Sequence, residues 1–204
     1  MDASLKLLHE CIIMDACCVI NLYASGQIRA ILSAIPKSVA VTAYVRKREA
    51  RHIYSGPLGK KDISSPKEKI DLQPLIDDQV IVIVAPNSDD ERDDAVDFGR
   101  FIHTGEAYTG AIAKSRNWAI ASDDSEAIAF FSKNLKHNQV ISTLALIKHW
   151  EDTTQPPAIM MHQVLKDIQI KASYTPRPSH PFHAWWLSRI IIPIKTTGTA
   201  SPSS

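Results

Sequence analysis

Three cysteines are all that the 204 residues contain, Cys11, Cys17 and Cys18, and none follows them. A set so small, odd and crowded cannot build a disulfide framework, and no Cys-x-x-Cys spacing exists for a zinc site. Reduced thiols in a cytoplasmic protein are the expectation. No run approaches the roughly 18 continuous apolar residues that a membrane helix needs. The opening segment holds Asp2 and Glu10 and lacks the basic start and small-residue cleavage site of a signal peptide. An excess of one charge is missing too, since 23 Lys and Arg face 22 Asp and Glu, a formal net of +1. That balance excludes a histone-like coat, whose affinity rests on a global positive field, and leaves room for a nuclease with a local basic rim. Several catalytic signatures are absent. Gly59-Lys60 is no Walker loop, because Tyr54 stands where the earlier glycine belongs. There is no Gly-x-Ser-x-Gly, and Asp15-Ala16-Cys17 lacks the second aspartate of a haloacid dehalogenase-type phosphatase.

What is present describes an ordinary globular chain, 45% apolar and 22% charged, of a length suited to one domain with an appendage. Cys11 to Met14 reads as a buried strand ending at Asp15. A second strand, Ser38 to Thr42, leads into a charged helix expected from Ala43 to about Ile53. Gly56, Pro57, Gly59 and Pro66 mark a long surface loop. A short helix around Leu72 to Ile76 precedes the β-branched run Val80 to Val84. Ser88-Asp89-Asp90-Glu91 is a helix start. A helix led by Gly105, a strand Trp118 to Ala121, a helix Ser125 to Ser132 and a strand Gln139 to Ile141 follow. Leu144, Ile147 and Trp150 share one helical face, and Met161, Val164, Leu165 and Ile168 another. Strands alternating with helices predict an α/β fold, a three-layer α/β/α sandwich with a mainly parallel sheet. The expected division is a catalytic domain over 1–153, a C-terminal helix and irregular aromatic arm over 154–192, and a disordered tail over 193–204.

The informative feature is where the carboxylates fall. Asp15 follows the first strand, and Asp123 and Asp124 follow the strand ending at Ala121. Ligand chemistry in an open parallel sheet gathers beyond the carboxyl ends of the strands. Glu106 lies in the first turn of the Gly105 helix and Glu49 in the helix after the second strand. Converging carboxylates repel unless a divalent cation compensates, and Mg²⁺ suits such hard oxygen ligands together with a substrate phosphate. Taken singly, each acid also has an ordinary reading, as a helix cap or a solvated helix charge.

Three segments carry a resemblance. Ile13-Met14-Asp15-Ala16-Cys17-Cys18-Val19-Ile20-Asn21-Leu22 resembles the opening motif of the PIN-domain family. Thr104-Gly105-Glu106-Ala107 resembles its central helix, and Ala121-Ser122-Asp123-Asp124-Ser125-Glu126-Ala127 its last acidic motif. The order and spacing hold from about Cys11 to Trp150. The resemblance implies a metal-dependent endoribonuclease, many relatives being toxins of toxin–antitoxin pairs (VapC-like). It implies Mg²⁺ or Mn²⁺ held by Asp15, Glu106, Asp124 and Asp123, with Glu49 a further catalytic acid and Asn21 and Ser122 in support. RNA is the implied substrate, an antitoxin protein a partner, and a homodimer the assembly. Two departures stand out. Family members often read Val-x-x-Glu, whereas Val45-Arg46-Lys47-Arg48-Glu49 holds one more residue, which turns a helical side chain by about 100°. Thr104 also stands where an acid is frequent.

Beside Glu49, the cluster Arg46, Lys47, Arg48 and Arg51 reads as a rim that positions phosphates or as a solvated helical face. The large apolar side chains of the arm, Phe182, Trp185, Trp186, Leu187 and Ile190 to Ile192, must pack on their own core or on a partner. The alternative function is a scaffold of the same fold, weak or inactive in catalysis, that serves as a binding or assembly module.

Overall fold

The computed structural model describes residues 5–62 and 64–191, so Ile192 and the tail expected over 193–204 lie outside the described residues. Five short strands make the central sheet: β1 (Cys11–Met14), β2 (Ser38–Thr42), β5 (Val82–Val84), β6 (Ala119–Ala121) and β7 (Val140–Ile141). Their order is β5-β2-β1-β6-β7, and every pairing is parallel. Parallel strands need crossovers, and helices supply most of them: α1 (Ala16–Ala24), α2 (Ile28–Ser33), α3 (Gln73–Asp77), α4 (Asp89–Phe98), α5 (Thr104–Arg116) and α6 (Ser125–Asn134). After β7 come α7 (Thr143–Thr154), α8 (Ala158–Lys171) and α9 (His183–Ile190).

Side-chain alternation makes the fold three-layered. Successive strand residues point to opposite faces, so Ile12, Met14, Val39, Val41, Ala119 and Ala121 enter one core with Leu22, Leu144, Leu165 and Trp186. Cys11, Ile13, Ala40 and Ile120 enter the other, with Ile112, Ala127 and Phe131 of α5 and α6. The sheet thus has helices on both faces, the α/β/α sandwich that the alternation of elements predicts.

Three expectations are corrected. The charged helix expected from Ala43 to Ile53 begins at Ala43 as expected but passes at once into one π-helical turn, Val45–Glu49, and gives way to a strand, β3 (His52–Tyr54). The turn closes with the Ala50 N–H donating to the Val45 carbonyl, and π-turns of this kind concentrate at functional sites. The expected surface loop is in part a small antiparallel hairpin, in which β3 pairs with β4 (Lys67–Lys69). A 3-10 turn, Gly59–Lys61, lies between them, and Gly59 has φ +58 beside the Ile170 carbonyl, where no larger side chain fits.

The third correction concerns the arm, which contains α9 rather than irregular chain. Trp186 is 1% exposed, and Phe182, Trp185 and Ile190 pack against the same core. The Trp185 indole N–H donates to Glu151 at 2.7 Å, and Arg189 pairs with the same carboxylate. Most of the apolar surface that seemed to call for a partner is therefore buried within the chain, leaving Leu187 and Ile191 exposed. Among the described residues, no helix is long and apolar enough to cross a membrane.

A candidate metal centre at the carboxyl edge of the sheet

The chain lays β2 and then β5 on one side of β1, and afterwards crosses over to place β6 on the other. Reversals of this kind open a crevice at the carboxyl ends of the strands. Asp15 follows β1 there, with its N–H bound to the Ala121 carbonyl at the end of β6. It caps α1 and is 2% exposed. One carboxylate oxygen accepts the Ala16 N–H at 2.7 Å, and the other accepts from Ser122 Oγ at 3.3 Å and Cys17 Sγ at 3.4 Å.

Asp124 caps α6, accepting the N–H groups of Glu126 and Ala127 through one oxygen at 2.8 and 3.0 Å. Glu106 lies in the first turn of α5 and accepts the His103 N–H at 3.0 Å. Glu49 accepts the Gly105 N–H of the same turn at 3.1 Å. All four acids therefore meet helix N-termini, whose free N–H groups and positive dipole ends favour negative charge. The extra residue in the π-turn is compatible with Glu49 reaching this place. Gly105 makes the room, since a Cβ there would lie 1.8 Å from Glu49 Oε2.

The acids feel one another. Burial raises the Glu106 carboxyl to about 7, and the Asp15 and Asp124 carboxylates add to the rise. Burial raises Asp15 as well, against its hydrogen bonds, with Asp124 contributing. Burial and the Asp15 charge raise Glu49. Among the described residues none of the four has a Lys or Arg partner within salt-bridge reach. Glu91 shows how the same protein treats a buried structural carboxylate. Its burial pushes the carboxyl up, but Arg116, gripping it at 2.7 and 3.0 Å, and the Asn87 N–H bring it below its ordinary value. Asp15 and Glu106 are buried and Glu49 and Asp124 half-buried, and neighbouring negative charges without such a partner are costly. A divalent cation could compensate them, although among the described residues only Cys17, Cys18 and Asp123 bring three ligand atoms within 4.8 Å of one another. The donors of the four acids are carboxylate oxygens, fitting Mg²⁺ or Mn²⁺ over softer ions.

Asp123 is placed differently. Its Oδ2 accepts from Asn21 Nδ2 at 2.9 Å and from Thr143 Oγ1, and its Oδ1 accepts the Thr143 N–H at 3.0 Å. Of the two adjacent acids, Asp124 couples to Asp15 and Glu106, whereas Asp123 ties the β6 end to α1 and α7. Asn21 accordingly supports Asp123, and Ser122 supports Asp15 while accepting the Asp124 N–H at 3.3 Å. One sulfur each of Cys17 and Cys18 and one Asp123 oxygen lie within 4.8 Å of one another. Burial raises the Cys18 thiol well above its ordinary value, which keeps it a neutral member of this network.

The basic cluster has a defined setting. Arg46, Lys47, Arg51, His52, Lys67 and Lys69 line a groove of about 570 Å³ between the π-turn and the β3–β4 hairpin. Among the described residues none of the Lys and Arg side chains here, nor Arg48, is in a salt bridge, although Arg29, Lys37, Lys114, Arg116 and Lys148 all are. Lys67 and Lys69 escape sequence reasoning because the hairpin that aligns them with Arg51 does. His103 escapes it too, yet its charge lowers both Glu49 and Glu106. Its signal is its position as the residue capping the Gly105 helix. No family model matches the chain, and neither a curated protein nor a solved structure does.

Proposed function

We propose that the chain is a metal-dependent endoribonuclease of the PIN type, which hydrolyses RNA phosphodiesters with water. One observation carries this reading. Among the described residues, four carboxylates from separate segments, Asp15, Glu49, Glu106 and Asp124, share a sheet edge without a salt-bridge partner, beside a basic groove without an acidic one. The π-turn supports it as well, since it accommodates the one residue by which this chain exceeds the family's Val-x-x-Glu spacing.

Asp15, Glu106 and Asp124 would hold Mg²⁺ or Mn²⁺. The ion, when bound, activates a water and offsets charge on the phosphodiester under in-line displacement. Among the described residues Glu49 Oε2 has no hydrogen-bond partner, while Oε1 accepts the Gly105 N–H. Its raised affinity for a proton suits it to orient that water and accept its proton. Ser122 holds Asp15 in place, and Asp123 with Asn21 and Thr143 locks the β6 end against α1 and α7. Arg46, Lys47, Arg48 and Arg51, with Lys67 and Lys69, position the phosphate backbone without reading bases. The test is cleavage of end-labelled RNA by the purified chain. Cutting should require Mn²⁺ or Mg²⁺, stop with EDTA and fall at least 100-fold in Asp15→Asn, a size typical for removing a preorganised charge from a hydrolytic site. Cleavage that survives Asp15→Asn, or no cleavage with either metal, refutes it.

A further inference from the structure

We propose that the cavity over the ends of β2 and β5 is a nucleobase pocket, which stacks one base of the RNA strand next to the phosphate being cut. The proposal rests on the nuclease reading for its substrate and on separate residues for its geometry. The cavity has a volume of about 350 Å³, at the small end of the roughly 300–1,000 Å³ that ligand pockets span. Tyr44, Tyr108, Val84 and Pro86 wall it, and Lys47 and Arg48 line it too. The two tyrosine rings lie 5.4 Å apart, tilted by 40°. Both are half-buried, and among the described residues neither hydroxyl hydrogen-bonds to protein. Aromatic faces open to a cavity are what unstacked bases bind.

Three further features favour a base over another flat ligand. Among the described residues no carboxylate lines the cavity, although four lie along the same edge of the sheet, so the pocket suits a ligand that carries phosphate. Lys47 and Arg48 are exposed and are in no salt bridge among the described residues, which leaves them free for that phosphate. Arg92, which also lines the pocket, is held by Asp89 at 2.6 Å. Position completes the case. β2 stands next to β1, with β5 beyond it and β6 on the other side of β1, and strands are about 5 Å apart. The pocket, between β5 and β2, is therefore roughly 7 Å along the edge from the strand end that carries Asp15 and roughly 12 Å from the one that leads to Asp124, the nearer of which a neighbouring nucleotide bridges. The π-turn joins the two places, with Lys47 and Arg48 lining the pocket and the next residue, Glu49, among the acids.

The test uses the full chain as Asp15→Asn, which is expected to bind RNA without cutting it. Single-stranded RNA oligonucleotides, identical except for one abasic ribose moved along the strand, are titrated by fluorescence anisotropy. The pocket predicts one position at which losing the base weakens binding by about 5- to 150-fold, the range measured for stacked bases. Tyr108→Leu keeps an apolar side chain but removes the aromatic face and should erase that positional loss, while Tyr108→Phe should keep it. Melting temperatures of both variants establish that each is folded. A flat profile, no oligonucleotide binding, or a positional loss unchanged in folded Tyr108→Leu overturns the proposal. Cleavage by the wild type with Mn²⁺, measured alongside, separates the two ideas. Cutting with a flat profile overturns the pocket alone, whereas a positional profile without any cutting overturns the nuclease reading and supports the pocket.

Discussion

Gly105 offers a way to disturb the acidic cluster without removing any acid. A methyl group at this position would lie 1.8 Å from Glu49 Oε2, 2.4 Å from its Cδ and 2.5 Å from Oε1. The obstructing atoms are the far end of a flexible side chain, so the cheapest relief is for the Glu49 carboxylate to retreat. Restoring ordinary contact requires a displacement of at least about 1 Å, and a misplacement of that size can cost about 100-fold in rate. The backbone has no objection, because Gly105 sits in the first turn of α5 with no positive φ. Replacing Gly by Ala in a helix gains up to about 1 kcal/mol, here set against the loss of the 3.1 Å bond to Glu49, worth about 1 kcal/mol. Gly105→Ala should therefore melt within a few degrees of the wild type and yet cut RNA about 100-fold more slowly with Mn²⁺. Activity within threefold of the wild type would show that Glu49 has no part in the reaction. A large loss of stability would show that the carboxylate is fixed more firmly than its hydrogen bonds indicate.

Two other outcomes bear on the electrostatics and the arm. With its folded pKa raised from 4.5 to about 7, Glu106 holds its proton more tightly in the native state. Its contribution to stability is full below about pH 4.5 and is lost as the pH rises through 7. Thermal melts of the metal-free protein should fall across that window and flatten in Glu106→Gln, whose amide oxygen can still accept the His103 N–H; equal slopes would refute the coupling. Trp186, 1% exposed and set edge-on to Tyr174, should cost about 3–5 kcal/mol on Trp186→Ala, read by urea denaturation. A near-neutral change in stability accompanied by a lower mass in light scattering would place this side chain's role between subunits.

How much of this was readable follows from what each residue depends on. The places of Asp15 and of the Asp123-Asp124 pair were legible because each closely follows a short apolar run, and a strand that stops near a carboxylate places it at a predictable sheet edge. Glu106 was legible through its place one residue after Gly105. The position of Glu49 was not, because the period of an α-helix does not describe a five-residue turn closed from Ala50 N–H to the Val45 carbonyl. The hairpin was hidden for another reason. Lys67, Glu68 and Lys69 are all exposed, so no alternation of polar and apolar residues marks the strand, and the glycines and prolines before it read as loop. α9 was masked by the prolines that precede it, although its amphipathic spacing places Trp186 in the core. Asp123 and Asp124 could not be told apart in sequence, since the difference lies in Asn21 and Thr143, which only the fold brings to Asp123.

The central claim is that the acids at this edge hold a divalent cation, and a calorimetric titration of the full chain with Mn²⁺ tests it most directly. Asp15→Asn and Asp124→Asn are the informative partners, because Asn caps helices about as well as Asp and both variants should stay folded while losing one charge. The account predicts saturable binding in the wild type that each variant weakens by at least tenfold. Equal binding in all three proteins, or none in the folded wild type, would contradict it.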